Sequence, residues 1–122
     1  KWLETRKEVE WVNYPGLKSS KYFNLSKKYL SKGQSGIITF GVKGGYENAK
    51  IVSDKTSLFS LLANIGDTKS LIIHPASTTH QQLNEKEQTS SGVTKDLIRL
   101  SVGIEDIDDL KQDLLNAFSY IK

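Results

Sequence analysis

The sequence predicts an α/β (α+β) two-layer sandwich, with a sheet of about four strands and the helices packed on one face. Three observations carry this. Four short apolar runs, Glu10–Tyr14, Gly36–Val42, Ser70–His74 and Leu97–Val102, alternate with segments of helical period. Three of the runs are closed by proline or glycine: Pro15-Gly16, Gly44-Gly45 and Pro75. A length of 122 residues with 37% hydrophobic content supports one core and is too short for two.

The elements follow in order. Residues 2–8 read as the end of a helix, and Glu10–Tyr14 as a strand stopped at Pro15-Gly16. Tyr22, Leu25 and Tyr29 fall at i, i+3 and i+7, which predicts a short helix ended by Gly33. Gly36–Val42 is β-branched and apolar, hence a buried strand. A longer helix is expected from Tyr46 to Ala63, with Ala49, Val52, Phe59 and Leu62 inward, although Ser53-Asp54-Lys55-Thr56 interrupts its pattern. Ser70–His74 is a strand ended by Pro75. Residues 80–95 are polar and read as a surface excursion with one helical turn. Leu97–Val102 is the fourth strand. The last helix begins near Asp106, where Asp106, Asp108 and Asp109 suit a helix N-terminus. Its apolar stripe is Ile107, Leu110, Leu114, Ala117 and Ile121.

Composition excludes several function classes. The formal charge is +3, but the lysines are scattered, no block of like charge occurs, and only Arg6 and Arg99 are arginine. Nucleic-acid binders concentrate charge in a stripe, so no nucleic-acid partner is expected. No apolar run approaches the length of a membrane span, so no membrane partner is expected either. Cysteine is absent, which removes a disulfide framework and a thiolate zinc site. With no secretory pattern at the start, the expected location is cytoplasmic. The Walker spacing, the G-x-S-x-G elbow and H-E-x-x-H are all missing. His74 and His80 are separated by Pro75 and share no helix face, so no metal site is expected.

One residue stands out. Alternation puts Ile98, Leu100 and Val102 on one strand face and Leu97, Arg99 and Ser101 on the other. A guanidinium in a short apolar strand needs a partner, and it is built to hold a carboxylate by two parallel hydrogen bonds. The partner is either the carboxylate of a small acid or an internal Asp or Glu. Ser77, Thr78 and Thr79 follow a strand end, where α/β proteins bind ligands; the same residues also suit a plain hydroxyl-rich turn. Asn64-Ile65-Gly66-Asp67 reads as a turn, with Gly66 free to take positive φ.

Taken in order, Trp2-Leu3, Val9–Leu17, Gly36–Phe40, Asn64–Asp67, His74–His80, Gly92-Val93 and Leu97–Glu105 resemble the C-terminal domain of the Cys/Met-metabolism family of pyridoxal-phosphate enzymes. Within it, Ala63–Asp67 and Ser77–Leu83 are most similar to the O-acetylhomoserine sulfhydrylase branch; the lyases and γ-synthases more often carry serine at the position of Asn64 and methionine at that of Thr78. The resemblance implies the small C-terminal domain of a fold-type I enzyme, spanning residues 1–122, without its catalytic cofactor domain. It implies that Arg99 binds the α-carboxylate of an amino-acid substrate. It implies that Asn64 touches the same carboxylate through its backbone, and that Thr79 orients the guanidinium or the substrate. Pyridoxal phosphate is the implied cofactor of the full-length enzyme. The Schiff-base lysine and phosphate ligands are expected N-terminal to this domain, because no lysine here has the Ser-x-Thr-Lys context and Thr94-Lys95 is only a partial echo. No cofactor and no activity are expected of the domain alone. The implied partners are the missing N-terminal domain and further copies in a tetrameric homo-oligomer. A sibling γ-replacement or lyase enzyme, or a free-standing carboxylate-binding module, are the alternatives.

Overall fold

A computed structural model describes all residues 1–122. The chain runs through a 3-10 turn at Leu3–Thr5, strand β1 (Val9–Asn13), helix α1 (Phe23–Tyr29), strand β2 (Ile37–Val42), helix α2 (Gly45–Lys55), strand β3 (Ser60–Leu61) and strand β4 (Leu71–Ile73). A 3-10 turn at Pro75–Ser77, helix α3 (Glu85–Ser90), strand β5 (Leu97–Ser101) and helix α4 (Ile107–Phe118) follow. The sheet order is β1-β2-β5-β4-β3. All neighbours are antiparallel except β3 and β4, which are parallel.

The two-layer α/β arrangement agrees with the sequence expectation; the sheet has a fifth strand. The helix expected from Tyr46 to Ala63 ends at Lys55 instead, and the chain turns to form β3. The physical reason lies elsewhere in the sequence. The Asp113 carboxylate on α4 accepts the backbone N–H groups of Ser57, Leu58 and Phe59 at 2.8, 2.9 and 3.0 Å. Those amides are therefore satisfied without continuing the helix. Residues 2–8 also differ from expectation. They form one 3-10 turn leading straight into β1, not the end of an α-helix.

The core sits between the sheet and α2 with α4. Register places Phe40 opposite Ile98, and Leu100 between Ile38 and Ile72. These residues face Ala49 and Val52 of α2 and Leu110, Leu114, Ala117 and Phe118 of α4. The Phe40 and Phe118 rings meet edge to face at 6.3 Å, the arrangement their quadrupoles favour. Asp106 caps α4 by accepting the N–H groups of Asp108 and Asp109. The expected helical turn in residues 80–95 is α3, which opens with a capping box between Asn84 and Glu87.

The opposite sheet face carries Leu71 and Ile73 of β4, Thr39 of β2, and Leu97, Arg99 and Ser101 of β5. At its β1 side the Trp11 indole donates to the Asp96 carboxylate at 2.7 Å and lies over Gly41. Helix α1 has only Ser26 buried; Tyr22, Leu25 and Tyr29, whose spacing predicted it, point outward at 48%, 53% and 68% exposure.

Candidate functional site

Strand β5 fixes where Arg99 emerges. Its neighbours Ile98 and Leu100 are 0% and 2% exposed, which pins the strand's register and sends Arg99 to the opposite face. There its cross-strand neighbours are Thr39 on β2 and Ile73 on β4. The side chain crosses β4 and reaches the loop that follows β3. One guanidinium nitrogen donates to the backbone carbonyl of Asn64 at 3.4 Å.

Arg99 has no ion pair. The salt bridges join Lys1 with Glu4, Lys50 with Asp54, Lys95 with Glu85, and Lys111 with Asp108. The internal Asp or Glu that the sequence left open as a partner is therefore absent. A guanidinium carries five N–H donors, and here one of them has a protein acceptor, at long range. Its remaining donors can take an anion without breaking a salt bridge, and a carboxylate fits their fork bidentately.

The Asn64 loop is a formed turn. Asn64 Oδ1 accepts the N–H of Ile65 at 2.8 Å, and Asp67 Oδ1 accepts that of Lys69 at 3.1 Å. Gly66 takes φ +75°, a left-handed conformation in which a side chain would be strained. The Asn64 side chain is thus spent inside its own turn, and only its carbonyl meets Arg99. The backbone contact expected of Asn64 was with a substrate carboxylate; the contact seen is with the Arg99 guanidinium.

The segment after β4 is equally well held. His74 is fully buried: Nε2 lies 2.7 Å from the carbonyl of Lys95 and Nδ1 lies 2.8 Å from Ser77 Oγ. The Lys95 carbonyl can only accept, so Nε2 carries the proton and Nδ1 accepts from Ser77. The ring also meets Tyr46 edge-on at 4.9 Å. Burial pushes the His74 pKa below the usual histidine value, so the ring is neutral at pH 7. Thr78 Oγ1 donates to the His74 carbonyl at 2.8 Å. Thr79 is exposed, and its hydroxyl lies 2.8 Å from His80 Nδ1; it makes no hydrogen bond to Arg99. So Arg99 and Asn64 are in contact, while Thr79 stands on its own on the segment after Pro75. The His80 ring is thus engaged locally, by the hydroxyl of its neighbour Thr79.

Fold and site together define a small α/β domain that presents, on one sheet face, an arginine with no ion pair against a turn that offers it a carbonyl. The chain belongs to the family of Cys/Met metabolism PLP-dependent enzymes, whose model matches residues 1–119. It is 55% identical over 121 residues to an O-acetyl-L-homoserine sulfhydrylase of Leptospira meyeri, covering 98% of this chain and 27% of that protein. It is 51% identical over 117 residues to a homocysteine synthase of Schizosaccharomyces pombe, covering 96% of this chain and 27% of that protein. Among solved structures, a chain from Campylobacter jejuni assigned as an O-acetylhomoserine (thiol)-lyase matches with TM-score 0.88 and 52% identity. The match covers 97% of this chain and 28% of that one, which carries N′-pyridoxyl-lysine-5′-monophosphate. The chain thus spans little more than a quarter of the length of these relatives.

The residues of this chain do not by themselves make a pyridoxal-phosphate site. Every lysine except Lys111 is exposed, and Lys111 is paired with Asp108. A Schiff-base lysine needs a desolvated place where its amine is uncharged and reactive. No three His, Asp or Glu residues gather where they could hold a metal ion, and no helix is long and apolar enough to cross a membrane.

Proposed function

We propose that this chain is the C-terminal substrate-binding domain of an O-acetylhomoserine sulfhydrylase, and that Arg99 receives the substrate's α-carboxylate. The whole enzyme replaces the acetoxy group of O-acetylhomoserine with sulfide, giving homocysteine and acetate. One observation carries the reading: Arg99 is a guanidinium without an ion pair, on a sheet face, in a chain of this family. The likeness to proteins named for this reaction supports the branch.

In this reading Arg99 forms two parallel hydrogen bonds to the carboxylate. Holding that end of the amino acid fixes the direction of its Cα–H bond, which is an orientation effect. Asn64 limits the guanidinium's freedom through its carbonyl. Thr79 is the third member; its hydroxyl, now beside His80 Nδ1, keeps acceptor capacity for the guanidinium and orients it or the substrate. The cofactor and its lysine belong to the N-terminal domain, the enzyme works as a homotetramer in the cytoplasm, and this domain alone is inactive.

The test joins the domain to its N-terminal region and records the absorbance spectrum with O-acetylhomoserine and sulfide added. A cofactor band with homocysteine produced supports the sulfhydrylase. Turnover only of cystathionine or methionine keeps the family and changes the branch. No cofactor band and no turnover leaves a carboxylate-binding module.

A further inference from the structure

The one protein acceptor of the Arg99 guanidinium is a carbonyl on a surface loop, and that carbonyl keeps its place only if something holds the loop. Residues 61–66 are all exposed, so packing does not fix them. Hydrogen bonds at the loop's C-terminal end do. The Glu105 carboxylate accepts twice from Ser70, from its backbone N–H at Oε1 and from its hydroxyl at Oε2, both at 2.7 Å. Ser70 Oγ in turn accepts the N–H of Gly103 at 2.8 Å. The Ile104 N–H donates to the Thr68 carbonyl at 2.9 Å, and the Ser60 N–H closes the loop on the Ser70 carbonyl at 3.0 Å. Ser70 is 0% exposed, so this cluster is sheltered from competing water. A Cβ at Gly103 would strike the Thr68 carbonyl, so the close approach requires glycine there.

The clamp and the arginine share one strand. Arg99 lies in β5, and Gly103 to Glu105 are the residues just beyond its end. The same stretch of chain therefore presents the guanidinium and grips the loop whose carbonyl meets it. The geometry points to Glu105 as a positioning residue for Arg99, acting through Ser70 and the 61–69 loop on substrate-carboxylate binding. The inference rests on the carboxylate reading of Arg99. Glu105 itself touches no substrate.

The experiment uses the full-length enzyme with O-acetyl-L-homoserine as variable substrate, and reads KM and kcat separately with the cofactor absorbance band. Glu105→Ala and Ser70→Ala should each raise KM about tenfold, the scale on which small misplacements act, with kcat and the band little changed. Arg99→Lys should raise KM as well, because lysine cannot form the bidentate pair. In the Arg99→Lys background Glu105→Ala should add nothing, because its effect passes through Arg99. A merely structural role would give an additive loss instead. An unchanged KM in both Glu105→Ala and Ser70→Ala, or full additivity with Arg99→Lys, would overturn the positioning role. An unchanged KM in Arg99→Lys would overturn the carboxylate reading itself. Should Glu105→Ala not fold, Glu105→Gln and the near-isosteric Ser70→Ala carry the same comparison.

Discussion

The Asp113 carboxylate accepts three backbone N–H groups and is 7% exposed, so its loss strands donors that water reaches poorly. Asp113→Ala should destabilise the fold by about 3 kcal/mol, read as a lowered urea midpoint by circular dichroism. His74 gives a second prediction, in pH. Its folded pKa lies below the ordinary value because burial disfavours the charged ring. The unfolded chain then takes up the proton first. Stability is full above the unfolded value of about 6.5 and falls as pH drops from there toward the lowered folded value. Denaturation midpoints at pH 5 and pH 7 should therefore differ, and the difference should shrink in His74→Gln.

Secondary elements here depend on a few close approaches. Strand β1 joins the sheet through β2, and Gly41 lets the Trp11 indole lie directly over the strand. A Cβ at that position would meet the indole nitrogen and the Asp96 carboxylate, which are hydrogen-bonded to each other. Gly41→Ala should cost about 2 kcal/mol by forcing the ring aside, with a change in tryptophan fluorescence marking the lost bond. Helix α4 rests on its cap: Asp106 holds the first turn, while Leu110, Leu114, Ala117 and Phe118 enter the core. Asp106→Ala should cost about 1 kcal/mol in the same unfolding experiment, because two amide donors lose their acceptor.

At the scale of the molecule, apolar side chains lie exposed in groups. Tyr22, Leu25, Tyr29 and Leu30 line α1, and Leu61, Leu62 and Ile65 stand on β3 and the Asn64 loop. Clustered exposed apolar residues favour association. The 122-residue domain on its own should show a light-scattering mass that rises with concentration. A constant monomer mass at all concentrations would count against this. The same preparation should produce no homocysteine from O-acetylhomoserine and sulfide; turnover would contradict the division of labour proposed between the two domains.

Periodicity and turn chemistry are local properties, and they are what the sequence determined. The alternation in Leu97–Val102 placed Arg99 opposite Ile98 and Leu100, and the i, i+3, i+7 spacing found α1. The family resemblance likewise rested on short segments in order along the chain, from Trp2-Leu3 to Leu97–Glu105. The end of α2 at Lys55 was not legible, because the Asp113 carboxylate that satisfies the following amides is 54 to 56 residues away. Strand β3 was missed for the same reason: two residues carry no period, and their pairing with β4 exists only once the chain has folded back. Outward-facing Tyr22, Leu25 and Tyr29 show the limit from the other side, since spacing defines a helix without saying which face finds a partner. Only the tertiary structure decided that Arg99 has no internal carboxylate, and that its one side-chain hydrogen bond is to the Asn64 carbonyl, 35 residues before it. Hydrogen bonds and ion pairs between distant residues depend on the path of the chain, and no local pattern encodes them.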